Sequence, residues 1–265
     1  MDPKTVTSAD GTEIAYERTG DGPPMLLLHG ASATRRSWDT IRPHLAEEFS
    51  LYIPDRRGRG DSGDNGGDGY SLDREVADVR ALVEAVDGTP TIFGHSFGGL
   101  VALAAAPTLS LDRLVLYEPA LLVGEHRGDD LADRMQARLD AGERQDALRL
   151  FIEDAGGVPT VETLPWWPEE ANTHLTETVI RENYQVEAYE LDSEPNVDVP
   201  TLVVSGERSS NRLRDAASEV HERLPESRFV ELDGVGHIAT ESAPERLATA
   251  VKSFVRETKP DVKDT

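Results

Sequence analysis

The stretch with the clearest chemical potential is Phe93-Gly94-His95-Ser96-Phe97-Gly98-Gly99. A serine becomes a nucleophile for acyl transfer when a base lies within hydrogen-bond reach and N–H donors meet the developing oxyanion. Thr91-Ile92-Phe93 reads as a strand and residues 100–106 as an apolar helix, so Ser96 occupies a sharp turn between them. In such a turn the positions two before and two after the serine pass close to other backbone, and only the smallest residues fit. The pattern alone is weak in a glycine-bearing chain. A strand before it and an apolar helix after it make it specific, against the alternative of a strand-to-helix turn without chemistry.

Seven histidines compete for the base: His29, His44, His95, His126, His174, His221 and His237. His95 neighbours Ser96, but a sharp turn sends its side chain elsewhere and gives it a structural role. His44, His126, His174 and His221 fall in helical segments and read as surface or packing residues. His29 ends a strand and His237 follows one.

These residues need a scaffold, and the hydrophobic patterning describes one. Short β-rich runs alternate with helical ones, the signature of a mostly parallel sheet with helices on both faces. Thr5-Val6-Thr7 and Glu13-Ile14-Ala15-Tyr16 flank Asp10-Gly11, a hairpin signal that makes the start antiparallel. Further strands are Met25-Leu26-Leu27-Leu28, Leu51-Tyr52-Ile53, Thr91-Ile92-Phe93, Arg113 through Tyr117, Thr201-Leu202-Val203-Val204 and Arg228 through Leu232. Helices are expected over 38–49, from 72 after Ser71, over 100–106, 212–224 and 244–257. From 120 to 197 the alternation stops and the pattern is helical and amphipathic. The economical division is a core of residues 1–119 and 198–265 with a helical cap, 120–197, inserted after the sixth strand.

At this level the chain resembles a capped α/β-hydrolase, over residues 12–257. The resemblance rests on Leu28-His29-Gly30-Ala31, the stretch Pro54-Asp55-Arg56-Arg57-Gly58-Arg59-Gly60-Asp61-Ser62-Gly63, the Ser96 turn, Val203-Val204-Ser205-Gly206-Glu207, and Gly236-His237. Each piece ends a strand, where open α/β sheets bind ligands. The fold class this implies is an eight-stranded, mostly parallel α/β-hydrolase sheet. The resemblance implies an oxyanion hole made by the N–H groups of Ala31 and Phe97, the latter also at a helix N-terminus where the dipole favours an anion. It places the base in the loop after the last strand, hence His237. It places the acid three positions beyond a glycine after the strand before the last, and there this chain has Ser209. A hydroxyl cannot stabilise an imidazolium as a carboxylate does. Glu118, fixed by Tyr117-Glu118-Pro119 at the end of the neighbouring strand, is therefore favoured as the acid, with Glu207 as the alternative.

Around this core, Trp166, Trp167, Leu164 and Val161 offer an apolar wall, and His29 and Trp38 beside the oxyanion loop complete the candidate pocket. Packing is the competing role for the aromatic residues. Arg35 and Arg36 are placed to hold a substrate carboxylate, or are solvated helix-entry charges. Asp55 reads as a loop scaffold, and 61–69 as a solvated loop lacking the order of a calcium loop.

Composition bounds the partners. Among 265 residues, 50 are acidic and 27 basic, a net charge of −23, and lysine occurs only at 4, 252, 259 and 263. An acidic surface repels phosphate backbones, so nucleic acid is not expected as a partner. The same excess resembles proteins of salt-loving microbes, where ions screen self-repulsion. The chain has no cysteine, so no disulfide or thiolate metal site is expected. No apolar run approaches a membrane span, and Met1-Asp2-Pro3-Lys4 lacks a basic-then-apolar leader, which points to a cytoplasmic monomer or homodimer. The expected activity is cofactor-free hydrolysis of a small or medium carboxylic ester, lactone or thioester through an acyl-enzyme. The alternatives are another reaction on the same serine (C–C bond hydrolysis, acyl transfer, peroxidation) or a non-catalytic binding protein.

Overall fold

In the computed structural model, residues 3–64, 69–164, 166–169 and 171–257 are described. Eight strands form one sheet among them: β1 (Lys4–Thr7), β2 (Glu13–Thr19), β3 (Pro24–Leu28), β4 (Ser50–Pro54), β5 (Thr91–His95), β6 (Arg113–Tyr117), β7 (Thr201–Gly206) and β8 (Ser227–Leu232). Their order across the sheet is β1-β2-β4-β3-β5-β6-β7-β8. β1 and β2 form the expected antiparallel pair, β2 runs antiparallel to β4, and every later pairing is parallel.

Because side chains alternate across a strand, each central strand feeds two cores. Leu26, Leu28, Ile92, Leu114, Leu116 and Val203 face one side, where α2 (Leu72–Glu84), α3 (Phe97–Ala105) and α7 (Asn211–Arg223) pack. Met25, Leu27, Phe93, Val115, Leu202 and Val204 face the other, against α1 (Arg42–Ala46) and α9 (Pro244–Arg256). β3, β5, β6 and β7 thus read as continuous apolar runs because both faces are covered.

The single helix expected over 38–49 is two pieces: a 3₁₀ turn, Arg35–Trp38, and α1. Pro43 has no N–H to continue a helix from residue 39, and instead sits in the first turn of a new one. Between β6 and β7, α4 (Leu131–Asp140), α5 (Arg144–Asp154) and α6 (Thr176–Ala188) pack on one another. Their apolar faces, including Leu131, Met135, Leu148, Ile152, Val179 and Val186, join the core on the α2/α3 side of the sheet. A short helix, α8 (Ala239–Ser242), precedes α9.

Candidate active site

The pieces singled out in the sequence all lie just past strand ends. Ser96 follows β5 with φ 54° and ψ −122°, one of two non-glycine residues at positive φ among the described residues. This strained conformation is held from both sides: Ser96 N–H donates to Tyr117 O at 3.0 Å, and Ala120 N–H donates to Ser96 O at 3.0 Å. The flanking glycines are sterically required. A Cβ at Gly94 would lie 2.5 Å from Gly98 O, and one at Gly98 would lie 2.2 Å from Leu28 O. The turn can form only if both positions lack a side chain.

The other positive-φ residue is Glu118, φ 44°, immediately after β6 and without accessible surface. Its Oε2 accepts from His237 Nδ1 at 2.6 Å, and its Oε1 accepts from Gly206 N–H at 2.7 Å and Ser205 Oγ at 3.2 Å. Burial pushes this carboxyl up, but the His237 hydrogen bond and its neighbours more than offset that, so its pKa lies below the ordinary carboxylate value. Glu207 turns the other way and accepts from Gly234 N–H at 2.5 Å, so it braces the loop that carries His237. The structure therefore brings Glu118, not Glu207, to the imidazole.

That loop is further fixed by Tyr117, whose hydroxyl donates to Gly236 O and accepts from Ala239 N–H at 3.3 Å. His95 stacks on Tyr117, ring centroids 5.1 Å apart, and its Nε2 meets His237 O at 2.9 Å. Burial, aided by nearby His237, lowers the His95 pKa to about 3, so this ring is neutral and donates. His95 is thus a brace for the His237 loop. With Nδ1 taken by Glu118, the Nε2 of His237 is the nitrogen left for the cavity that Ser96 also lines. Among the described residues no hydrogen bond yet joins Ser96 Oγ to that ring, a looser geometry common before substrate binds.

Ala31 and Phe97 line the same cavity, and among the described residues no protein group accepts from either backbone N–H. Two unpaired donors beside a serine hydroxyl are suited to an oxyanion. His29 does not line this cavity. It is fully buried, its Nδ1 meeting Gly30 O at 2.8 Å and its Nε2 accepting from Arg56 N–H at 3.1 Å. It shapes the loop from below.

The cavity holds about 490 Å³ and is walled largely by Leu148, Phe151, Ile152, Leu164, Trp166 and Val186 from the segment between β6 and β7. Of the aromatic residues expected there, only Trp166 lines it. Trp167 is buried beneath the Arg149 guanidinium, 5.4 Å from its ring. Trp38 has no accessible surface and packs edge-on against Phe93 at 5.0 Å, because the turn before Pro43 aims it into the α1/α9 core. Arg35 is neither solvated nor free for a ligand: it is tied to Asp55, Asp61 and Glu17. Arg36 is exposed and lines the cavity mouth.

Asp55 is the scaffold expected, accepting from the N–H groups of Arg35 at 2.8 Å and Asp61 at 3.0 Å. Part of the expected solvated loop, residues 65–68, lies outside the described residues. The arginines of the same stretch tie it to neighbours as well, and one of their partners was not evident in the sequence. Arg56 and Arg59, both buried, converge on Glu182 of α6, which has no accessible surface. Arg59 also donates to Ala31 O in the loop after β3, and Arg56 lies 4.6 Å over the Phe97 ring. The acidic partner is 123 residues from Arg59, so no local pattern announces it. Among the described residues no cluster of three or more acidic or histidine side chains is placed to hold a metal, and no helix is long and apolar enough to cross a membrane.

Residues 25–250 match the sequence model of the Alpha/beta hydrolase family, and the chain belongs to that family. A non-heme chloroperoxidase from Streptomyces lividans is 29% identical over 95% of this chain and 99% of its own. A solved α/β hydrolase from Sphaerobacter thermophilus is 33% identical with TM-score 0.83, covering 95% of this chain and 99% of that one. An esterase from Exiguobacterium antarcticum shares the fold with TM-score 0.79 at 24% identity, over 96% and 99% of the two chains. The protein is accordingly an enzyme of the α/β-hydrolase class.

Proposed function

We propose that the protein is a serine hydrolase of small or medium carboxylic esters, lactones or thioesters. The observation that carries this reading is a single apolar cavity lined by the Ser96 hydroxyl, by an imidazole whose other nitrogen is held by a buried carboxylate, and by two unpaired backbone N–H groups. Ser96 Oγ attacks the substrate carbonyl as its proton passes to His237 Nε2, and Glu118 stabilises the imidazolium. The N–H groups of Ala31 and Phe97 take the oxyanion. Collapse expels the alcohol or thiol, which receives the proton from His237, and water then repeats the sequence on the acyl-enzyme. Nucleophile, base and oxyanion donors all come from the chain, so the chemistry calls for no cofactor.

In this reading, 120–197 is a cap that roofs a core of 1–119 and 198–265, because its helices supply most of the cavity's apolar wall. The excess of acidic residues supports work at high salt, in a cytoplasm rich in potassium chloride. A fluorophosphonate probe in molar potassium chloride should label the folded protein and fail on Ser96→Ala. No adduct on folded wild type would remove the serine-hydrolase reading. The kinship to a non-heme chloroperoxidase favours a second reading, in which hydrogen peroxide takes the place of water on the acyl-enzyme. Halide oxidation dependent on both peroxide and a carboxylic acid, and absent from Ser96→Ala, would support it.

A further inference from the structure

Leu148, Phe151, Ile152, Leu164 and Val186 give the cavity an apolar face, and set beside them is Asn183 on α6, which is 3% exposed. Its Nδ2 donates to Val179 O, one turn back, at 2.8 Å. A carbonyl can only accept, so the amide orientation is fixed: nitrogen toward the helix, Oδ1 away from it. Among the described residues that oxygen has no protein partner. Asn172 repeats the arrangement. It lines the same cavity, donates its Nδ2 to Ser32 O at 2.9 Å, and leaves its own Oδ1 without a protein partner. Each amide turns its NH₂ to a main-chain oxygen and presents an acceptor to the cavity.

We propose that Asn183, with Asn172, forms an acceptor subsite that selects substrates carrying a hydroxyl or N–H group away from the reacting carbonyl. This rests on the ester-hydrolase reading and narrows its substrate class. A hydrogen-bond acceptor set beside this apolar face is poorly served by an alkyl chain, which displaces water from it and returns nothing. A chain ending in a hydroxyl satisfies the acceptor and keeps the apolar contacts to Leu148, Ile152 and Val186. A carboxylate, itself an acceptor, is disfavoured. Sites that pair with a substrate hydroxyl reject the analogue lacking it far more strongly than apolar pockets tell apart a methylene.

Asn183 can be tested without dismantling the helix. Val179 O already receives the backbone N–H four residues on, so the side-chain bond is an addition to the α6 ladder. Asn183→Leu is close to isosteric and keeps the helix. Two substrate pairs place the hydroxyl on either side of the scissile bond: 4-nitrophenyl hexanoate against 4-nitrophenyl 6-hydroxyhexanoate, and pentyl acetate against 5-hydroxypentyl acetate. In wild type the hydroxylated member of at least one pair should have the higher kcat/KM, by roughly 10–100-fold. Asn183→Leu should abolish that preference, lowering kcat/KM for the hydroxylated ester and raising it for the unhydroxylated one, which no longer strips water from an unpaired acceptor. Equal kcat/KM within both pairs in wild type, or a preference that survives Asn183→Leu, would overturn the subsite while leaving ester hydrolysis intact. Failure of wild type to turn over any of the four removes the ester reading and the subsite with it.

Discussion

Glu118 and Glu182 are both acidic, both without accessible surface, and both joined to residues far away in the chain, yet their surroundings differ in kind. Glu118 ends a central strand and is met by a backbone N–H, a hydroxyl and an imidazole, with each oxygen taken. Glu182 sits on a helix outside the sheet and draws two buried guanidiniums onto one oxygen, leaving the other unpaired among the described residues. A carboxylate satisfied by directed donors is suited to holding one small group in one orientation. A carboxylate that draws two arginines together is a tie between layers. On the proposed function the first serves the chemistry, and the second seats α6 on the loop that carries Ala31.

Neutralising each carboxylate should separate these roles. Glu118→Gln keeps shape but removes the charge opposite the imidazolium and sets the wrong hydrogen-bond pairing on Nδ1. Where the acid of such a triad is replaced by its amide, kcat drops by about 10⁴. The same loss is expected here, with KM little changed, measured on any ester the wild type turns over. Glu207→Gln is the internal control, and its kcat should stay within about twofold because that side chain braces a loop rather than the ring. Equal losses in both variants, or a normal rate in Glu118→Gln, would break the comparison at its catalytic end.

Glu182→Gln should do the reverse, with the larger effect on stability. It leaves Arg56 and Arg59 buried with only Glu75, 4.0 Å from Arg56, as a remaining counter-charge, and removing one partner of a buried ion pair typically costs about 3–5 kcal/mol. Urea unfolding at pH 7 checks this directly. The fall in kcat should be much smaller than in Glu118→Gln, and should come through Arg59, which holds the Ala31 carbonyl, and Arg56, which lies on Phe97. If Glu182→Gln unfolds like wild type, the cluster is not the tie described. If its kcat matches that of Glu118→Gln, the division between chemistry and seating is wrong.

The two residues also differ in how far the sequence exposed them. The Ser96 turn is local: its glycines sit at fixed offsets and its strand and helix adjoin it, so seven residues are enough to read it. Glu118 was reachable because a strand ends at Tyr117 and because Ser209 stood where a carboxylate was expected. Eight strands and their antiparallel start were legible from alternation and apolar runs, as both cores are built from consecutive side chains of the same strands. Glu182 and Asn183 were not legible. Helical periodicity tells which face is buried, not what that face meets, and their partners or cavity are set by how the inserted helices settle. Trp38 failed for a related reason: nearness to the oxyanion loop in sequence did not survive the break before Pro43, which turned it into the opposite core.

Acidification should give the smallest effect of the Glu118 substitution. The folded-state pKa of Glu118 lies below its ordinary value, the His237 hydrogen bond and its other donors outweighing burial. A carboxyl depressed on folding contributes stability above its unfolded pKa and loses it as pH falls through the lower, folded one. Each unit of depression corresponds to about 1.4 kcal/mol. Glutamine cannot ionise, so the wild-type advantage over Glu118→Gln in unfolding free energy should narrow as pH falls from about 5 toward 3. Urea midpoints of the two proteins at matched salt read that difference, with salt held high so that screening of the acidic surface does not change between points. An advantage that grows between pH 5 and 3 would mean that burial prevails, that Glu118 is held protonated near neutral pH, and that it donates to His237 rather than stabilising its charge.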